Sequence, residues 1–526
     1  MIDAQTTAQI PSPSALNRLE PVARTVAVVD APPEPPRTAP RAAIGVLVAL
    51  ALLGCGLRLV ALFTDRCLWL DEAMLALNLV NRTPRQLLDP LDWNQGAPVG
   101  FLLAVKGTIT ALGASEWALR LVPFLASCAG VFGFAFLSRR LLPGHAATLA
   151  TALMALSPYL ISYAAECKQY ACDAAMTVGL LSVAMGLLEG RGGAARWGGL
   201  AVVGALAVWC SHPATFVLAG IGTALLLHAL VERDRKRFIA GGLTVACWLV
   251  SFGACYVLCL KQLGGNKYLT DYWTEHFMPL PPKGVGDLAW VADHLIAFFA
   301  MPGGFGGEPV PLGGFAAFLA LIGLRECARE RWPVAVALAA PVGFLLFASG
   351  LHKYPFGGRL LLFLIPLGLL LVARGAWAVF DAVRDRNRFA ALALIVLLVG
   401  AAAWQTSGTL RRPLRHEQIR PVIAQVRAEM RPGDRVYVYY SAIPAFQFYT
   451  RDNPFPEERV TLGNEYPNNP GGYRDELNRL HGRVWVIYSH PHHGEEIMIR
   501  SMFESRVPRE QMIKERGATA WLYELK

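Results

Sequence analysis

Charge is what this chain has least of. Of its 526 residues, 17% are charged and 54% hydrophobic, against roughly 25% charged in a soluble domain. Metal and dithiol motifs are also missing. Ten cysteines are present, none in a CxxC spacing. Most, such as Cys128, Cys247, Cys255 and Cys259, lie inside apolar runs, where a thiol packs as a small hydrophobe. Cys167 and Cys172 lie near one membrane face, and nothing in the sequence supports a disulfide between them. No apolar run occupies the extreme N-terminus, as a cleavable signal peptide requires. The Gly-rich "MPGGFGGEP" (301–309) has no following Lys-Ser/Thr, which argues against a phosphate loop, and "SHPHHG" (489–494) reads as a His-rich solvent loop rather than a metal site.

Long apolar runs are what the chain has instead. Stretches of about 18 or more mostly apolar residues recur, the length that crosses a bilayer as a helix. The formal net charge of +10 would suggest nucleic acid, but the basic residues cluster in short loops between these runs. That is the positive-inside bias of a multi-pass membrane protein, so no nucleic-acid partner is expected.

The weak apolar stretch 98–113, interrupted by Lys106, decides the register. If it lies in the interface rather than crossing, every basic cluster falls on one side: Arg139–Arg140, Arg191/Arg196, "ERDRKR" (232–237), Arg325/Arg329/Arg331 and Arg384/Arg386/Arg388. About eleven spans follow: 43–63, 117–138, 145–164, 171–189, 197–211, 213–231, 238–260, 311–325, 333–350, 360–373 and 389–404. The expected organisation is a disordered cytoplasmic tail (1–42) and a transmembrane domain (43–405) with large periplasmic loops at 64–116 and 261–310. A periplasmic α/β domain (411–526) completes it. In this last part charged helical patterns ("RHEQIRPVIAQVRAEM", "YRDELNRL", "EEIMIRSMFES") alternate with "RVYVYY", "RVTL", "RVWVIY" and "AWLYEL". An odd number of spans puts the N-terminus inside a bacterial inner membrane and the C-terminal domain outside.

This register gathers the unusual polar residues at the outer ends of the spans: Asp71 and Glu72; Gln95; Glu166, Lys168, Tyr170 and Asp173; His212; Lys353, Tyr354 and Arg359. Ionisable residues cost about 2.5–3.5 kcal/mol at the bilayer centre, less toward the interface, and point to function. Tyr163, Glu166, Tyr170 and Asp173 share one stripe if their helix is continuous. Carboxylates and cations on one membrane face suit a lipid phosphate that reacts there. Arg359 can grip it by a bidentate fork and Lys353 as a point charge.

The acidic pair in "WLDEAML", the "QGAPVG" turn into a short apolar helix, and "GASEWALR" (113–120) together resemble the GT-C membrane glycosyltransferases. Within these the likeness is to the family 39 group: protein mannosyltransferases, the lipid A aminoarabinose transferase and rhizobial lipopolysaccharide galacturonosyl transferases. "YAAECKQYACD" (163–173) and "KYPFGGRLLLFLIP" (353–366) fall where that group has its second polar cluster and its late outer-loop motif. The resemblance covers about 43–375 and implies a polyprenyl-phosphate-linked sugar donor, a periplasmic-face site, and a lipid, glycan or protein acceptor of the cell envelope. Asp71 matches the first-loop acid, the family's likely base, with Glu72 beside it. Asp173 or Glu166 matches the second acidic position. His212 stands where the aminoarabinose enzyme has a Lys, and Lys353 matches a late-motif Lys. The Lys-Pro after the family's first loop is Ala97-Pro98 here. No cofactor is fixed. A divalent metal stays open, with Glu72, Glu166 and Asp173 as its candidate ligands.

Two other classes remain. A carrier or flippase would place polar groups near the midplane and repeat itself in inverted form, and the sequence does neither. A non-catalytic membrane partner would leave Asp71 and Arg359 opening to separate surfaces.

Overall fold

The computed structural model describes residues 41–308, 311–413, 417–466, 469–492 and 494–526. The tail expected over 1–42 lies outside them, except for its last two residues, which begin the first helix. With no water available inside a bilayer, an apolar run satisfies its backbone only as a helix or a closed barrel, and these runs are helices. In chain order they are α1 (Arg41–Leu62), α2 (Leu70–Asn81), α3 (Val99–Leu112), α4 (Glu116–Leu141), α5 (Gly144–Ala155), α6 (Pro158–Ala164) and α7 (Tyr170–Leu188). Then come α8 (Ala194–Cys210), α9 (Ala214–Val231), α10 (Arg235–Cys255), α11 (Lys261–Leu263), α12 (Lys267–Tyr272) and α13 (Val285–Ala300). The bundle closes with α14 (Gly313–Gly350), α15 (Ile365–Arg384) and α16 (Arg388–Arg411).

Among the described residues eight helices are long and apolar enough to cross a membrane, or nine if α5 and α6, bent by 48°, form one span. The eleven expected spans are all found as helix. The 38-residue α14 joins two of them across Arg331, whose backbone is not helical (φ −151°, ψ 72°), and α8, at 17 residues, falls just short of the length test. The 14-residue α3 is shorter still. Its first turn meets Cys210 at the end of α8, and Thr108 near its other end bonds the Ala118 carbonyl at the start of α4.

Four of the five basic clusters touch one another at one end of the bundle. Arg140 and Arg191 share Glu189, Arg196 Nη1 donates to the Arg191 carbonyl (2.7 Å), and Arg237 reaches the Gly190 carbonyl. Arg331 donates to the carbonyls of Arg140 and Leu141, both at 3.2 Å. We call this the basic end. Deeper in the bundle α14 and α15 cross backbone to backbone at Gly323 and Gly375. A Cβ on either would overlap a carbonyl oxygen of the other helix, Leu371 or Leu319.

Beyond α16 a mixed five-stranded sheet forms, in the order β2-β1-β3-β5-β4. Its strands are β1 (Arg435–Val438), β2 (Val460–Leu462), β3 (Gly482–Ser489), β4 (Arg509–Glu515) and β5 (Ala518–Leu525). β2, β1 and β3 run parallel, while β5 is antiparallel to β3 and β4. The helices are α17 (Ile419–Glu429), α18 (Ile443–Thr450), α19 (Pro470–Leu477) and α20 (Glu495–Glu504). The sequence patterns anticipate α17, α19, α20 and four strands. They miss α18 and β4, because β4 ("REQMIKE") has charges on most positions, as an exposed edge strand does. The sheet's core is continuous with the loop side of the bundle: Leu68, Ala73, Leu79, Phe101 and Leu119 pack in one cluster with Val436, Phe446 and Trp485.

Candidate active site

Asp71 and Glu72 open α2, and adjacent helical residues point about 100° apart. The two carboxylates therefore meet different partners. Glu72 is fully buried. It takes a bidentate pair from Arg120, Nε to Oε1 at 2.9 Å and Nη2 to Oε2 at 2.8 Å, and the Cys167 amide at 2.7 Å. Burial acts to raise its pKa, but the Arg120 charge and hydrogen bonds, with Arg66 and the Cys167 amide, outweigh it and hold the carboxyl below the usual range. Arg120 also caps the carbonyls of Arg66 (3.1 Å) and Cys67 (3.3 Å). The geometry makes Glu72 a clamp between α2, α4 and the 165–169 segment.

Asp71 faces the other way. Its Oδ2 lies 2.5 Å from Arg359 Nη2, with side-chain exposures of 18% and 16%. Arg359 sits in the 3₁₀ turn Gly358–Leu364 that leads into α15. Its guanidinium is flanked by the rings of Trp69 (5.6 Å) and Tyr170 (5.7 Å), and Tyr163 meets Tyr170 edge to face at 5.3 Å. Its Nε is buried without a hydrogen-bond partner among the described residues. Asp71 and Arg359 thus share one site instead of opening to separate surfaces.

The condition for one stripe from Tyr163 to Asp173, a continuous helix, is not met. α6 ends at Ala164 and α7 begins at Tyr170, with a non-helical 165–169 between them. That break lets Lys168 Nζ donate to Gln95 Oε1 (2.6 Å) and Gln169 Nε2 to the Gly96 carbonyl (3.2 Å), so the "NQGAP" turn docks beside the acidic pair. Burial pulls the Lys168 ammonium below the ordinary lysine value, opposed by Asp71. Glu166 is buried in the same segment. Asp173 is buried in the first turn of α7, with its Oδ1 unpartnered among the described residues.

Three candidates stand apart from the pair. Lys353 is exposed and makes no ion pair among the described residues. The Tyr354 hydroxyl donates to the Leu360 carbonyl (3.3 Å), and its ring meets Phe216 edge to face. His212, between α8 and α9, is pulled down to about 4 by burial, so near pH 7 it offers a neutral imidazole, not a cation. Among the described residues no three His, Cys, Asp or Glu side chains converge to hold a metal ion, and Glu72, Glu166 and Asp173 form no such group. In "SHPHHG", His490 Nδ1 lies 2.6 Å from Glu417 Oε1, while His493 falls outside the described residues. Cys167 and Cys172 are both free thiols.

Sequence reasoning gave no role to Arg120 or Glu417, and read Trp69 only as part of the apolar surface around the acidic pair. Arg120 was legible as a charge at the head of an apolar run. Nothing local marks Trp69 as a cover for Arg359, or pairs Glu417 with a helix 347 residues away.

The helical bundle, the α2–α3 elements beside the site and the sheet domain behind them make up the GT-C fold of membrane glycosyltransferases. Two solved structures of ArnT from Cupriavidus metallidurans share it. The apo form aligns at TM-score 0.53 and 14% identity over 91% of this chain and 98% of that one. The form bound to undecaprenyl phosphate aligns at 0.52 and 13% over 91% and 97%. The oligosaccharyltransferase AglB of Archaeoglobus fulgidus, solved with an inhibitory peptide and a dolichol-phosphate, aligns at 0.50 and 13% over 91% and 74%. No family model and no curated protein sequence matches the chain.

Proposed function

We propose that the protein is an inverting glycosyltransferase that moves a sugar from a polyprenyl-phosphate carrier to a cell-envelope acceptor at the outer face of the inner membrane. The observation that carries this reading is the Asp71–Arg359 pair, with the buried, unpartnered Arg359 Nε beside it. The ligands of the GT-C neighbours, undecaprenyl phosphate in ArnT and a dolichol-phosphate in AglB, support a lipid-phosphate donor. The basic clusters gathered at the far end of the bundle support an outer position for the site and for the sheet domain, by the positive-inside rule.

The arrangement suggests a sequence of steps. A donor phosphate competes with Asp71 for Arg359 and takes the guanidinium in a fork. Asp71, released, accepts the proton of the acceptor hydroxyl or amine as that group attacks the anomeric carbon. The bond from that carbon to the phosphate oxygen breaks, and polyprenyl phosphate leaves with the electron pair. Arg359, held by Trp69 and Tyr170, stabilises the leaving charge where low dielectric strengthens the contact. Lys168 and Gln95 orient the sugar, and Glu72 holds the helix. If a metal takes part, Glu166 and Asp173 are its candidate carboxylates, since Glu72 is held by Arg120.

The test uses membranes containing the full chain and a panel of undecaprenyl-phosphate monosaccharides (mannose, galacturonic acid, aminoarabinose). The wild type is expected to transfer one of them and Asp71→Asn to fail at equal expression. Full activity in Asp71→Asn would sink the base assignment.

A further inference from the structure

The segment before α2 is held from the sheet domain along its whole length. Gln418 Nε2 donates to the Asp65 carbonyl (2.8 Å), and the Cys67 amide donates back to Gln418 Oε1 (3.3 Å). The Leu68 amide donates to the Tyr449 hydroxyl (2.7 Å), which itself donates to Glu116 (3.1 Å). Arg420 bridges Asp65 and Glu116. The last contact is the most pointed: the Leu70 amide donates to Glu417 Oε2 at 3.1 Å.

Leu70 is the first residue of α2, and Trp69, its N-cap residue, provides no side-chain cap. The first amides of a helix need an acceptor, and a carboxylate there is favoured by the helix dipole. Glu417 supplies it from another part of the fold. Glu417 is in turn fixed by the end of β3, through the Ser489 hydroxyl (3.3 Å) and His490 Nδ1 (2.6 Å), and is itself buried. Asp71 therefore lies between two anchored neighbours. Leu70 is tied to the sheet domain by its backbone, and Glu72 is tied to α4 by its side chain. With both neighbours fixed, the backbone that carries Asp71 is held where its carboxylate meets Arg359.

We infer that Glu417 is a positioning residue for the transfer reaction, through which the C-terminal domain sets where the Asp71 carboxylate stands. This rests on the reading of Asp71 given above. It assigns the sheet domain a part in the chemical step, beyond covering the site or receiving the acceptor.

Glu417→Ala and Glu417→Gln in the full-length protein, reconstituted in nanodiscs, test it. Gln keeps the length and one acceptor oxygen for the Leu70 amide, and Ala keeps neither. The kinetics use whichever undecaprenyl-phosphate monosaccharide of the panel the wild type transfers. A small misplacement of a reacting group costs up to about 100-fold, so Glu417→Ala should lose about tenfold or more in kcat. Its donor KM should move far less, and Glu417→Gln should recover most of the loss. Amide hydrogen exchange supplies a readout independent of the reaction. Residues 68–73 should exchange faster in Glu417→Ala, while β1 and β3 keep their protection. Unchanged exchange over 68–73 would overturn the contact. Faster exchange with an unaltered kcat, or a loss confined to KM, would overturn the positioning role. Loss of protection throughout β1 and β3 in both variants would make Glu417 a folding residue and overturn it too. Full transfer by Asp71→Asn with faster exchange in Glu417→Ala would remove the reading of Asp71, and the positioning role with it, while the cap itself stood.

Discussion

The two ends of the bundle handle charge in opposite ways. At the basic end arginines outnumber carboxylates and share them: Glu189 serves both the half-buried Arg140 and Arg191, whose side chain is 61% exposed. At the other end two close pairs form in partly or fully buried surroundings, Glu72 with Arg120 and Asp71 with Arg359. On the function proposed above, the first pattern would record orientation in a membrane, by the positive-inside rule, and the second would build the site. A count of charges would not separate them; the sharpest difference is the depth of Glu72–Arg120, 1% and 2% exposed, against Arg191 at 61%.

That contrast can be broken at several points. The largest effect is expected from Asp71→Asn, a loss of about 10²–10⁴-fold in kcat measured as sugar transfer in membranes, the range a general base supplies. Glu72→Gln should leave Arg120 buried and underpaired, costing about 3–5 kcal/mol in stability, read as a lowered thermal midpoint in detergent. Its pH behaviour sharpens the point. The folded-state pKa of Glu72 lies below the ordinary value of 4.5, so its contribution is complete above that value and is lost as pH falls through the lower folded one. The wild type should therefore show an acid-side loss of stability that Glu72→Gln largely lacks. Arg359→Lys keeps the charge and loses the fork, so donor KM should rise by roughly tenfold, the worth of one hydrogen bond to a charged group, with a smaller change in acceptor KM. The smallest effect belongs to the basic end: Arg191→Ala should change stability by within about 0.5 kcal/mol and leave transfer unchanged.

Much of this contrast was legible in the sequence. The loop arginines are close in sequence to the apolar runs, so a rule about local charge reaches them. Asp71 and Arg359 stood out as ionisable residues at the edges of apolar runs, and the fold brings them into contact. The Glu72–Arg120 clamp was not legible, because the two are 48 residues apart and no local period links them. The break at 165–169 falls between the expected spans 145–164 and 171–189, but what it presents to the site was not legible. Tyr163 to Asp173 has helical spacing, and it is the docking of Lys168 and Gln169 onto the 95–96 turn, a tertiary contact, that goes with the interruption. α14 merged two expected spans because only the backbone at Arg331 departs from helix.

The crossing of α14 and α15 at Gly323 and Gly375 has a mechanical meaning. With backbones touching, the crossing acts as a fulcrum, and α15 is the lever whose upper arm ends in the turn bearing Arg359. A methyl group added at either glycine would do more than disturb packing in the middle of the bundle. It would tilt the arm, and the displacement would be felt at its tip, in the gap between a guanidinium and a carboxylate. The contact between the two charges should therefore respond to a side chain added at two glycines that touch neither of them.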